Sequence, residues 1–334
     1  MLKLFQSFFG GDESRGRYPE SLIEEAIERA VDGTDSRLRL LPGYRKRLRR
    51  PVIHAIDHVV ALVDAIPASL AAGRDDFSSD PRLAALFVSA EQMLEILGRD
   101  RAMTSFLKKA SAAAERLTAL LMAERIEKNV LGMELAGEQV RRDVAQLTVS
   151  FRNHRLVDVT DNEAETRRQL RRRAFDHLLS LALARIVEVR DERTGLARQR
   201  DVLRHKLLTL ERNGWSFEEG EGAPSDPASL QTELAEIESQ LESMGSDASV
   251  LNTHLDIVVD QLGQAEQLLQ LEAVHMRLDS MNIQRGEHDA SARDIDLQEI
   301  RNARGRSMVL QLVSVIPSEL PPQESLLATA HRYL

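Results

Sequence analysis

Apolar residues recur at alternating spacings of three and four along two long stretches in the second half of the chain. In the first stretch they are Phe175, Leu179, Ala182, Ile186, Val189, Leu196, Leu203, Leu207 and Leu210. In the second they are Leu230, Leu234, Ile237, Leu241, Met244, Ala248, Leu251, Leu255, Val258, Leu262, Ala265, Leu269, Met276 and Ile283. Such a repeat keeps one apolar seam turned toward a partner helix. The spacing therefore predicts two coiled-coil helices.

The two predicted helices carry opposite charge. Residues 163–213 contain 13 Lys and Arg against 8 Asp and Glu, whereas residues 227–283 contain one Arg against 10 Asp and Glu. Unlike charges favour folding one helix back on the other over pairing two parallel copies. Asn213-Gly214 is typical of a helix end and Asp226-Pro227 of a helix start. We therefore predict an intramolecular antiparallel hairpin, with two helices of an ordinary bundle as the alternative.

The first half of the chain predicts mainly helices. An amphipathic helix is expected over residues 21–31 and a long helix over residues 44–66. Asp80-Pro81 and Ser89 are typical N-terminal caps and predict two short helices. Further helices are expected over residues 101–110 and 111–135.

Two short regions on either side of the predicted hairpin alternate with period two. Apolar residues at 147, 149 and 151 precede a turn at residues 152–155, and apolar residues at 157 and 159 follow it, which predicts a β-hairpin. Ile295 and Leu297 begin a second alternation, and residues 306–316 fit a buried strand, with a short helix as the alternative. We expect these strands to form a small sheet at the base of the helical hairpin.

The predicted fold is mainly α: an N-terminal helical domain plus a long antiparallel coiled-coil hairpin, with a small β element at its base. The predicted boundaries are 1–17 for an amphipathic N-terminal segment and linker, 18–142 for the helical domain, 143–161 and 294–317 for the β element, 162–283 for the coiled-coil arm with its tip at 214–226, and 318–334 for a C-terminal tail.

Composition excludes several classes of function. The 334 residues include no cysteine, so disulfides and thiolate chemistry are excluded. A net charge of −9 makes nucleic acid an unlikely partner, because phosphate binding needs a basic face. The sequence has no signal peptide and no long apolar stretch, and arginine far outnumbers lysine, as in GC-rich bacterial genomes. We therefore expect a protein of the bacterial cytoplasm, peripheral at the inner membrane as an alternative.

One string has catalytic character. HAIDH, from His54 to His58, places two histidines at i and i+4 on one helix face, as metal ligation requires. It resembles the inverted zincin metallopeptidase motif, in which a glutamate precedes the second histidine; Glu134 would supply the third ligand. Asp57 stands in the place of that glutamate and is one methylene shorter. We therefore expect no catalytic residue, no metal site, no cofactor and no small-molecule substrate.

Two basic clusters open the long helices, where the helix dipole disfavours cations. The first comprises Arg45, Lys46, Arg47, Arg49 and Arg50, and the second lies within residues 167–173. The N-terminal Phe5, Phe8 and Phe9 are apolar enough to enter a membrane interface. These aromatic residues and the first cluster are the predicted contacts with an anionic membrane surface. The alternative is that the cations pair with carboxylates of neighbouring helices.

Trp215 and Phe217 form an aromatic pair at the predicted tip of the hairpin. Exposed aromatic residues frequently dominate protein interfaces, although both side chains could instead cap the end of the two helices. We predict a non-enzymatic scaffold or adaptor that uses this pair to bind a protein partner or a second copy of itself. The alternative is a peripheral membrane protein that docks through its N-terminal segment and basic clusters.

Overall fold

The computed structural model describes residues 18–109, 114–136, 139–213, 227–244, 247–286 and 289–321. The chain divides into two compact units, each built from two separate stretches. The first unit comprises residues 1–56 and 175–265, and the second comprises residues 57–174 and 266–334.

Helices form the described part of the first unit. Helix α1 spans Glu20–Asp32 and follows Pro19; all its inward-facing apolar residues are buried, as the helical spacing predicts. A short 3₁₀ helix at Ser36–Leu40 leads to α2, Tyr44–Asp64.

The second unit begins with short elements. These are β1 (Leu70–Ala71), α3 (Pro81–Leu86), α4 (Ala90–Arg99) and α5 (Arg101–Lys109). Asp80 accepts a hydrogen bond from the backbone N–H of Arg82 at 2.9 Å, and Ser89 accepts one from that of Gln92 at 3.2 Å. Both predicted helix starts are therefore confirmed. Two long strands follow, β2 (Leu117–Ala136) and β3 (Gln139–Thr160).

Helix α6 runs without interruption over Glu163–Asn213. Asn162 caps it, since its Oδ1 accepts from the backbone N–H of Glu165 at 2.8 Å. Three helices come next: α7 (Pro227–Ser243), α8 (Asp247–Gly263) and α9 (Ala265–Leu268). Leu203 and Leu207 of α6 pack with Leu230 and Ile237 of α7 in one apolar cluster.

The sheet is completed by β4 (Leu269–Leu278), β5 (Arg293–Asn302) and β6 (Ser307–Val315). The strand order is β3-β2-β6-β5-β4, with every pair antiparallel, and β1 adds a short parallel pairing to β6. Ile283 pairs with Thr148 of β3, and the adjacent Gln284 pairs with Leu278 of β4. Residues 283–284 thus pair with both β3 and β4, the two outermost strands, so that the strand pairings form a closed ring.

The core of the second unit lies between this sheet and α3–α5. Alternate residues of β2 point into it, namely Leu117, Ala119, Leu121 and Ala123. They meet residues from β3, β4, β5 and β6 and from the short helices, including Leu83, Met93 and Leu97. Thr118 and Leu120, which lie between these β2 residues, are also buried, so this part of β2 is covered on both faces.

Strand β3 bends at three places where its register against β2 shifts. Each shift coincides with an Asp or Asn in the left-handed region of backbone space: Asp143, Asn153 and Asp158, with φ of 55°, 55° and 53°. Asp and Asn tolerate this conformation better than other non-glycine residues, and an extra residue there produces a β-bulge. The bulges explain why one strand continues through residues 152–155, where the sequence predicts a turn.

The predicted fold class is wrong. The described residues contain a six-stranded sheet, in which β2 and β3 pair over nearly their whole lengths, in place of a small β element beside a helical hairpin. Residues 117–135, predicted as helix, belong to β2. The second predicted long helix ends at Ser243, resumes at Asp247, and residues 269–278 are the strand β4. Residues 307–315 are strand, which settles the alternative that the sequence left open.

Candidate functional site

The predicted membrane-contact cations at the start of α2 are largely engaged in ion pairs. Arg45 pairs with Glu28, Arg47 with Asp256 and Arg49 with Glu20, while Lys46 and Arg50 are exposed. Arg45 also lies 5.6 Å from the ring centre of Tyr44. The hydrogen bond from Arg49 lowers the pKa of Glu20. These contacts match the alternative that cations pair with neighbouring helices.

The second basic cluster also has structural partners. Arg167 donates through its guanidinium to the carbonyl oxygens of Val63, Ile66 and Pro67, at 2.8, 2.9 and 3.0 Å. These carbonyls lie at the C-terminal end of α2, where a cation is favourable; that of Val63 also accepts from the backbone N–H of Ile66 at 3.2 Å. Arg173 donates to both carboxylate oxygens of Asp158, at 2.8 and 2.6 Å.

In the HAIDH string, His58 contacts the protein backbone. His58 Nε2 lies 2.8 Å from the carbonyl oxygen of Leu269, which can only accept, so this nitrogen carries a proton and donates. No cluster of three histidine or carboxylate side chains suited to holding a metal ion occurs in the part of the chain that the structure describes. The side chain of Glu134 lies outside the described side chains.

Five predicted contact residues lie outside the described residues, so the structure does not test the contacts predicted for them. They are Trp215 and Phe217, predicted to bind a partner, and Phe5, Phe8 and Phe9, predicted to contact a membrane. Among the helices that the structure does describe, none is both long and apolar enough to cross a membrane.

Strands β2 and β3 extend past the other strands as a two-stranded ribbon. Beyond the pair Asn129–Leu147, no other described strand pairs with either of them. We call residues 130–136 and 139–146 the ribbon. At about 3.3 Å per residue it is roughly 23 Å long. Leu131 and Met133 on it are 73% and 66% exposed, so the ribbon presents large apolar side chains to solvent.

One contact within the ribbon depends on a glycine. Gln146 is buried, and its Nε2 donates to the carbonyl oxygen of Met133 at 3.0 Å. A Cβ on Gly132 would lie 2.6 Å from Gln146 Cδ, closer than carbon atoms can approach. Gly132 thus lets the side chain of Gln146 lie across the opposite strand and hold the ribbon together.

A cavity of about 300 Å³ lies in the first unit between α6 and the α7–α8 region. Helix α6 contributes Arg190, Arg193 and Thr194, and α8 contributes Val250, Thr253 and His254. The hydroxyl of Thr194 donates to the carbonyl oxygen of Arg190 at 2.9 Å, and that of Thr253 to Ser249 at 3.2 Å. Because both hydroxyl protons are used within their own helices, neither threonine has the arrangement of an activated nucleophile.

His254 is the polar residue that distinguishes this cavity. Its side chain is buried, and Nδ1 donates to Asp35 Oδ2 at 2.8 Å. Asp35 is also buried and accepts from the guanidinium of Arg37 at 3.0 and 2.7 Å. These hydrogen bonds from Arg37 hold the pKa of Asp35 far below its usual range, so the carboxylate is charged. His254 Nε2 has no hydrogen-bond partner among the described residues.

Neither the ribbon nor the cavity was predicted from the sequence. The ribbon has a signal in the sequence, since the alternation at residues 147–151 predicts a strand and that strand continues toward residue 139. The pairing of Asp35 with His254 joins residues 219 positions apart, and no local pattern indicates it.

Comparisons with known proteins add no functional assignment. No family model matches this chain. No curated protein and no solved structure proved similar to it.

Proposed function

We propose that this protein is a non-enzymatic scaffold or adaptor of the bacterial cytoplasm that binds another protein through the ribbon. The observation that carries the proposal is the exposure of Leu131 and Met133 on two strands that pair only with each other in the described residues. Large exposed apolar side chains in one place are typical of interaction sites.

The backbone of the ribbon supports the same reading. An isolated two-stranded hairpin is marginally stable in water, and its outer edges offer unpaired backbone groups that can accept a further strand. Gln146 holds the two strands together through Met133. A protein partner would cover the apolar side chains and could extend the ribbon by strand pairing.

The peripheral-membrane alternative has weaker support. Arg45, Arg47 and Arg49 are paired with carboxylates, which reduces the positive charge they offer to an anionic surface. The exposed Lys46 and Arg50 and the N-terminal aromatic residues remain its basis. Failure of the full-length protein to float with anionic liposomes at low salt, where electrostatic attraction is least screened, would remove this alternative.

The test of the ribbon compares two double variants. Leu131→Ser with Met133→Ser removes the exposed apolar side chains of the ribbon. Leu40→Ser with Val88→Ser is the matched control, because both residues are exposed apolar side chains elsewhere. After affinity purification from cells that naturally contain the protein, partners should be lost only from the ribbon variant, with thermal unfolding unchanged in both. An identical set of partners in both variants would contradict the proposal.

Sedimentation distinguishes self-association from binding of another protein. Sedimentation of the purified wild type reports its oligomeric state, and loss of an oligomer in the ribbon variant would identify a second copy as the partner. A further variant, Trp215→Ala with Phe217→Ala, tests whether the predicted aromatic pair takes part. Loss of the partner in that variant alone would place binding at the aromatic pair and contradict the role of the ribbon.

A further inference from the structure

We propose that the outer edge of β4 pairs with the same edge of a second copy of this protein, in an antiparallel arrangement centred on Ala273. Strand β4 stands at one end of the strand order and pairs along one side with β5. Its other side is the outer edge. This surface is separate from the ribbon, so the pairing does not depend on the proposed function.

The outer edge of β4 is engaged at both of its ends. At the first end, His58 Nε2 donates to the carbonyl oxygen of Leu269 at 2.8 Å. At the other end, the carbonyl oxygen of Arg277 accepts from the backbone N–H of Arg285 at 3.0 Å. Neither partner belongs to β5, so both carbonyl groups point outward. Because the backbone groups of a paired strand alternate between its two sides, those of residues 271, 273 and 275 point outward as well.

Between these two ends the edge of β4 is open. Within the described part of the chain, no strand pairs with this side of β4, and no backbone group bonds to the outward N–H and C=O groups of Leu271, Ala273 and His275. The side chains of Gln270, Glu272, Ala273 and His275 are exposed. An exposed row of unpaired backbone groups is a template for pairing with another strand.

The open groups are arranged symmetrically about Ala273. When a strand pairs antiparallel with its own copy across a twofold axis, outward groups must lie opposite outward groups. With the axis at Ala273, this residue faces its counterpart and Leu271 faces the partner's His275, so that each pair exchanges two hydrogen bonds. Moving the axis by one residue sets an open residue opposite Leu269 or Arg277, whose carbonyl oxygens are already engaged. This symmetry favours a second copy over an unrelated peptide strand.

The side chains of β4 suit this register. Glu272 faces the partner's Val274, so the two Glu272 carboxylates are diagonal to each other, whereas an axis at residue 272 would set them directly opposite. Like charges directly opposite each other destabilise a strand pair. Ala273 meets its own counterpart on the axis, where its small side chain avoids crowding.

Sedimentation of the full chain over a range of protein concentrations tests the pairing. The wild type should form a dimer of twice the chain mass of 37.5 kDa. In the dimer, the amide hydrogens of Leu271, Ala273 and His275 should exchange with solvent about tenfold more slowly or less, because each becomes hydrogen-bonded. A wild type that sediments as a monomer at every concentration overturns the proposal.

Charged residues on the axis locate the interface. Ala273→Lys and Ala273→Glu each set like charges opposite one another and should weaken dimerisation about tenfold or more. An equal mixture of the two variants should dimerise again, because opposite charges then meet. Since Ala273 is exposed, both variants should keep the circular dichroism of the wild type.

Ala68→Lys is the matched control, because Ala68 is an exposed alanine of the same unit outside the sheet. This variant should dimerise like the wild type. The proposal is overturned if Ala273→Lys dimerises like Ala68→Lys, or if the mixture of the two Ala273 variants stays monomeric. Loss of the dimer only in Leu131→Ser with Met133→Ser would also overturn it, because self-association would then belong to the ribbon.

Discussion

Asp35 holds His254 in position, and replacing its carboxylate by an amide measures what that bond contributes. In Asp35→Asn, Oδ1 can still accept from the backbone N–H and the Nε of Arg37. The new amide nitrogen takes the place of Oδ2, which accepts from His254 Nδ1 and from an Arg37 guanidinium nitrogen. Donors then face donors, so the bond from this Arg37 nitrogen is lost, and the bond to His254 is lost as well unless the histidine ring changes tautomer.

The bond to His254 should account for most of the loss in stability. The His254 side chain is buried, whereas that of Arg37 is 54% exposed, so water screens the interaction with Arg37. A hydrogen bond to a charged group contributes ~1.5–3 kcal/mol, and an exposed ion pair ~0–1 kcal/mol. We therefore expect Asp35→Asn to lower the free energy of unfolding by about 2–3 kcal/mol.

Urea denaturation followed by circular dichroism at neutral pH tests this value. Asp32→Asn is the matched control, because Asp32 is 63% exposed and pairs with Arg39 on the surface. Its expected cost is below ~1 kcal/mol. If Asp35→Asn costs no more than Asp32→Asn, the bond to His254 does not stabilise the first unit in the way argued.

Three further predictions concern pH, the end of α2 and the ribbon. Arg37 lowers the pKa of Asp35 in the folded state. The stability that the Asp35 carboxylate contributes is therefore fully present above its unfolded-state pKa of about 4 and is lost as pH falls. The difference in urea midpoint between wild type and Asp35→Asn should then shrink below about pH 4; a difference that persists in acid contradicts this. In the Arg167→Lys variant, a single ammonium group cannot reach three carbonyl oxygens. Thermal or urea unfolding should therefore show a free energy of unfolding that is lower by about 2 kcal/mol, and no loss would argue against the capping role. Gly132→Ala displaces Gln146, so hydrogen exchange of ribbon amides should accelerate about fivefold or more while global unfolding is unchanged, and unaltered exchange would refute the contact.

Local signals in the sequence were sufficient for several elements. The caps at Asp80 and Ser89 act within one helical turn, so their residue types predict the helix starts directly. The buried face of α1 follows from its spacing alone. Strand β6 was predicted because a continuous apolar run followed by Pro317 fits a buried strand.

The sequence does not predict β2 and β4 as strands, and the reason is physical. Residues 117–136 are rich in Ala, Leu, Met and Glu, which favour helix in isolation. Pairing with β3 on one side and β6 on the other overrides that preference. In β4, Leu269 and Met276 are seven positions apart and continue the heptad spacing, although Val274, Met276 and Leu278 also fit a period of two. Short apolar runs fit both patterns, and only tertiary pairing decides between them.

The candidate site was beyond the reach of local patterns. His254 lies near a seam position of a predicted helix and Asp35 in a predicted loop, and nothing within either segment indicates that they meet. The exposure of the ribbon residues follows from the length of β2 and β3 beyond the other strands, which the sequence does not predict.

Site-specific photo-crosslinking at Leu131 in living cells is the most direct test of the ribbon as a protein-binding surface. A photoreactive amino acid replaces Leu131, and the same replacement at the exposed Leu40 serves as the control. The account predicts a discrete crosslinked protein, or a crosslinked second copy of this chain, from position 131 and none from position 40. No crosslink at position 131, or the same products from both positions, would contradict it.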